Sequence, residues 1–126
     1  MAKVRYIRVG DHLDDDTVIV VRGGPLDAEL IRTDAARMFA IYEIYGISVF
    51  AAQDLSVDEL AQEPPLVRFA DLTLVTVGDL RATNFRLEPT GRNRRHYTVV
   101  FDDLDDGVVR LIAIRHQLLR NPYYEE

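Results

Sequence analysis

Cysteine is absent from this chain, which excludes disulfides, thiolate nucleophiles and every zinc site built on sulfur. No uninterrupted apolar run approaches the roughly 18 residues that a membrane-spanning helix needs. Residues 1–6 lack the apolar stretch of a secretory signal, so the sequence predicts a cytoplasmic protein with no membrane partner. A positive surplus is missing too: fifteen basic against twenty-one acidic residues give a formal charge of −6. Duplex binding draws on cations that neutralise phosphates, so no duplex DNA partner is expected. There is no H-x-x-x-H or H-E-x-x-H pattern for His12, His96 and His116, no calcium loop with a closing glutamate and no G-x-S-x-G elbow. No metal is expected.

What remains is an ordinary globular composition, 48% apolar and 29% charged over 126 residues, which predicts a single domain spanning 1–126. The acidity is uneven. Residues 1–63 carry six basic and twelve acidic groups, whereas residues 64–126 carry nine of each. The acidic runs at 14–16 and 102–106 read as solvated turns.

Residues 3–9 predict a short strand, and the β-branched run 17–21 predicts a strand buried on both faces. Arg22-Gly23-Gly24-Pro25 breaks it. Over residues 26–45 the period becomes helical, with Ile31, Ala35, Met38, Tyr42 and Tyr45 on one stripe and Gly46 as the expected stop. A buried strand follows at 47–51, then a short helix opened by the capping box Ser56-Val57-Asp58-Glu59 and stopped by Pro64-Pro65. Strand segments are expected at 66–69, 72–77 and 85–87, with a turn or helical stub at 78–82. Residues 97–101 and 108–114 read as a β-hairpin closed by the acidic turn and Gly107. The expected class is α+β, a mixed or antiparallel sheet of about six or seven strands with one long and one short helix.

Three stretches carry chemistry. Arg22-Gly23-Gly24 stands where a strand meets a helix, so the guanidinium fork could take an anion such as a pyrophosphate and the glycines could admit it closely. A tight turn explains the glycines equally well. In Tyr45-Gly46-Ile47-Ser48-Val49-Phe50-Ala51-Ala52, Ser48 is the polar residue of an apolar strand, and Tyr45 and Ser48 could line the same cleft as Arg22. The third stretch, Thr90 to Thr98, sets Arg92, Arg94, Arg95, His96 and Tyr97 in nine residues that run from a basic loop into a strand. Histidine and tyrosine can act as base and acid on RNA while arginines stabilise the phosphate.

The first two stretches together resemble the nucleotide-binding half of the ADP-ribosyltransferase-like fold. The span 46–59, a G-x-x-V-aromatic-A-A strand followed by a capped helix, is most similar to the RES-type branch, which includes NAD-degrading toxins of toxin–antitoxin pairs. The resemblance covers residues 17–80. It implies that NAD is the substrate, that Arg22 contacts its phosphates or ribose with Gly23 and Gly24 beside it, and that Tyr45 and Ser48 clamp the nicotinamide end. A cognate antitoxin is the implied partner. The sequence has no E-x-E signature; Glu59 and Glu88 are its nominal acidic substitutes. Two alternatives stand beside this expectation. One is a metal-independent ribonuclease toxin acting on RNA through Arg92, Arg94, Arg95, His96 and Tyr97. The other is a non-enzymatic interaction module whose acidic half meets a basic partner and whose Tyr123-Tyr124 tail docks.

Overall fold

The computed structural model describes residues 7, 13–15 and 19–125. Six strands lie in the order β4-β5-β2-β1-β3-β6. They form two antiparallel sheets of three. One holds β4 (Arg86–Pro89), β5 (His96–Phe101) and β2 (Tyr45–Phe50), and the other holds β1 (Ile19–Gly23), β3 (Asp71–Thr76) and β6 (Gln117–Arg120). The sheets abut through one register pair, Val21 with Phe50. Among the described residues four α-helices accompany them: α1 (Ala28–Tyr42), α2 (Val57–Ala61), α3 (Val77–Ala82) and α4 (Leu104–Ala113). This corrects the expected architecture. The sheet is split rather than single, and among the described residues there are four helices, two of them long, where one long and one short were expected.

The additional long helix comes from residues 108–114, expected as the second strand of a hairpin. Asp103 caps this segment by accepting from the Asp106 N–H, and Asp105 and Asp106 sit in its first turn, where the helix dipole favours negative charge. Leu104, Val108 and Leu111 then fall four and three apart on one face, with Val108 and Leu111 buried. Gly107 is needed for packing rather than for a turn, because a Cβ there would overlap the Phe101 ring. Tertiary contact overrides the β-branched composition.

Helix α1 begins at its Asp27 cap, which accepts from the Leu30 N–H, and buries Ile31 and Ala35. It ends earlier than expected. Glu43, at φ 59°, takes the left-handed conformation and its N–H returns to Phe39 O. Gly46 is therefore free for β2, where a Cβ would stand 2.8 Å from both Thr98 Cγ2 and Val99 O. The Ser56–Glu59 capping box of α2 forms as expected. Residues 66–69 make a 3₁₀ turn (Leu66–Arg68) instead of a strand, and the stub at 78–82 is α3, capped by Thr76. The strand expected at 3–9 lies outside the described residues except for Ile7, which bridges Thr90.

The main core gathers Ile31 and Ala35 of α1, Ile47 and Val49 of β2, and Val108 and Leu111 of α4. A second cluster packs Leu60, Ala61 and Leu66 onto Phe50 and Leu72. Apolar burial of this kind stabilises by about 25 cal/mol per Å². Both clusters anchor the strands on either side of the split.

Candidate functional site

Away from Val21 and Phe50 the two central strands part. Arg22 and Gly23 of β1 pair with Thr73 and Leu72 of β3, while Tyr45 to Val49 of β2 pair with β5. The gap holds a cleft of about 580 Å³, lined from β1 by Arg22 and Gly23, from β2 by Ser48 and Phe50, and from β5 by His96. Helix α1 supplies Asp34, Arg37, Met38, Ile41 and Tyr42, and Pro65 and Phe69 close another side. An adjoining cavity of about 250 Å³, lined by Thr90, Gly91 and Thr98, shares Met38, Tyr42, Ser48 and His96 with the first. The volumes suit a small organic ligand.

Arg22 is the charged floor of the cleft. Its side chain is 10% exposed, and its Nη2 donates to Asp34 Oδ2 at 2.6 Å. Its Nε is buried with no hydrogen-bond partner among the described residues. An unmet guanidinium donor beside a cavity is an invitation to an acceptor, because buried polar groups are otherwise nearly always satisfied. Arg37, exposed on the same helix, adds a second positive charge and has no carboxylate against it among the described residues. The single acidic side chain among the lining residues is Asp34.

His96 is anchored through Nδ1, which lies 3.0 Å from Thr90 O; a carbonyl can only accept, so Nδ1 donates in this contact when it carries the proton. The Thr90 hydroxyl lies 3.0 Å from the same Nδ1 and 2.7 Å from the Thr98 hydroxyl, and both threonines are buried. Phe50 meets the imidazole edge-on, with ring centroids 5.3 Å apart. Ser48, exposed at the middle of β2, stands opposite Thr98 in the register.

The structure thus brings Arg22, Gly23, Ser48 and His96 to one cleft. Gly24 does not line it; at φ 87° it makes the turn that follows β1, and its carbonyl accepts from the Thr73 hydroxyl. Gly23 is required by the Phe69 ring, which would lie 2.6 Å from a Cβ there. Tyr45 lies three residues from Ser48, hence on the other face of the strand. It packs against the main core and stacks on Phe39 at 4.5 Å. Tyr97 alternates with His96 in the same way and is 2% exposed in the core. Arg95 bonds Asp54 at 3.0 Å and approaches Glu63, Arg94 lies 3.8 Å from Asp54, and Arg92 is exposed. Sequence reasoning missed Asp34, Arg37, Tyr42, Phe69 and Thr90. Tyr42 was legible as part of the α1 stripe, but nothing in its spacing tells a core aromatic from one lining a cleft.

Among the described residues no group of three or more His, Asp or Glu side chains could hold a metal ion. Comparison with protein-family models, with curated proteins and with solved structures yields no match.

Proposed function

We propose that the cleft binds NAD, or a pyrophosphate-linked relative of it, and that the protein breaks the bond between nicotinamide and ribose. One observation carries this reading: Arg22, Ser48 and His96, contributed by three strands and by both sheets, line a single cleft. Arg22, with Arg37 nearby, offers the pyrophosphate a bidentate donor and a second cation. Ser48 offers a hydroxyl to the ribose. Tyr42 and Phe50 provide apolar ring surface beside the histidine for the nicotinamide.

The chemistry asks little of the protein beyond clamping and a base. The C1′–N bond breaks with its electron pair leaving on nicotinamide, which departs neutral. A water molecule bonds to C1′ and gives its proton to Nε2 of His96, so the products are nicotinamide, ADP-ribose and a proton. Replacing water by a hydroxyl or amine acceptor converts hydrolysis into ADP-ribosyl transfer. Holding the cofactor in one pose supplies much of the acceleration, because the ribosyl centre is then aligned with its nucleophile.

Calorimetry with NAD, followed by chromatographic detection of free nicotinamide, tests the reading. Binding is expected, with nicotinamide release strongly reduced in His96→Ala. No heat at millimolar NAD would remove it. RNA degradation that disappears in His96→Ala, in a preparation inert towards NAD, would transfer the assignment to the ribonuclease alternative.

A further inference from the structure

The contact between Arg22 and Asp34 has two partners of unequal standing. Arg22 is 10% exposed and cannot return to water without leaving its place between β1 and α1, whereas Asp34 is 39% exposed and reaches the guanidinium from the rim. The bond uses one nitrogen, Nη2, and leaves Nε unsatisfied. A buried guanidinium with no anion is costly, so Arg22 needs a counter-charge whenever no ligand is bound. A carboxylate that can rehydrate is one that a ligand can displace.

We infer that Asp34 is a competing carboxylate, holding Arg22 until a ligand phosphate displaces it. The identity of the ligand rests on the NAD reading; the competition itself requires only a phosphoanion at Arg22. Asp34 lowers the affinity of the cleft for every such anion, both by holding Nη2 and by placing a negative charge where the phosphate must sit. A ligand must therefore contribute further contacts, through its ribose and base, to outbid it. Simple phosphates are turned away while a dinucleotide is admitted, so the pair acts as a selectivity filter.

Asp34→Asn tests this, because the amide keeps the shape and can still accept from Nη2 while the charge is gone. Calorimetry with inorganic pyrophosphate and with NAD is expected to show both binding more tightly to the variant than to the natural protein, pyrophosphate by about tenfold. The gain should be larger for pyrophosphate than for NAD, and it should shrink in high salt. Asp34→Ser, which removes the charge with less bulk, serves if the asparagine variant does not fold. Pyrophosphate binding that is unchanged or weaker in a folded variant would overturn the inference and make Asp34 a fixed support for Arg22. Tighter pyrophosphate binding in a protein that ignores NAD would uphold the competition and sink the NAD reading. Pyrophosphate affinity that the variants leave unimproved, in a protein that binds NAD, would do the reverse.

Discussion

Two arginines of this molecule are almost equally buried, yet their surroundings differ in kind. The Arg22 side chain is 10% exposed and that of Arg95 is 14% exposed. Arg95 closes a junction: Asp54 accepts from it at 3.0 Å, Glu63 stands 4.0 Å away, and its carbonyl receives the Ala51 N–H. Among the described residues Arg22 meets one carboxylate and retains an unpartnered Nε, and it fronts a cleft of about 580 Å³. Burial of a cation is therefore a poor guide to function by itself. The informative quantity is the donor capacity left over once the protein's own acceptors are counted, and whether a cavity adjoins it.

The contrast predicts opposite phenotypes. Arg22→Met should weaken NAD binding by about a hundredfold, close to 3 kcal/mol, the cost typical of removing one member of a desolvated charge contact. Its folding should suffer little, since Asp34 can turn to solvent. Titration calorimetry alongside thermal melting checks both halves. Affinity within a few-fold of the natural protein would erase the distinction between the two arginines.

Arg95→Met should do the converse. NAD affinity should be unchanged, while stability falls by about 1 kcal/mol, because the carboxylates are partly solvated and their attraction is screened. Chemical denaturation read by circular dichroism gives the difference. A loss of NAD binding in a protein that still folds would place the basic loop inside the ligand site and revive its role in holding phosphate.

The sequence made local structure plain where a single pattern dominates. The Ser56–Glu59 box and the Ile31–Ala35 stripe formed as read, because capping and helical periodicity are short-range properties. Residues 108–114 are ambiguous in sequence because their β-branched composition favours a strand, whereas the spacing of Leu104, Val108 and Leu111 and the Asp103 cap favour the helix that forms. The split of the sheet was illegible: it depends on where β1 ceases to pair with β2, a property of strand order and twist that no window of residues contains. The site was half legible for the same reason. Arg22 and Ser48 stood out as polar residues at strand positions, and His96 by its chemistry. Asp34 and Arg37 look in sequence like any solvated helix face, and only the docking of α1 across the split turns them towards the cleft.

The smallest expected effect tests the Arg95 side of the comparison through pH. A hydrogen bond from its backbone environment, opposed by partial desolvation and then reinforced by the charges of Arg95 and Arg94, holds the Asp54 carboxyl below its ordinary value of 3.8. A carboxyl whose value is lower folded than unfolded contributes stability that is fully present above the unfolded value. That contribution is lost as pH falls through the lowered folded value. Asp54→Asn should therefore melt slightly below the natural protein at neutral pH, with the gap constant down to the ordinary aspartate range and closing at more acidic pH. Melting curves across that range provide the measurement. A gap that persists undiminished in strong acid would mean that Asp54 acts through packing rather than charge.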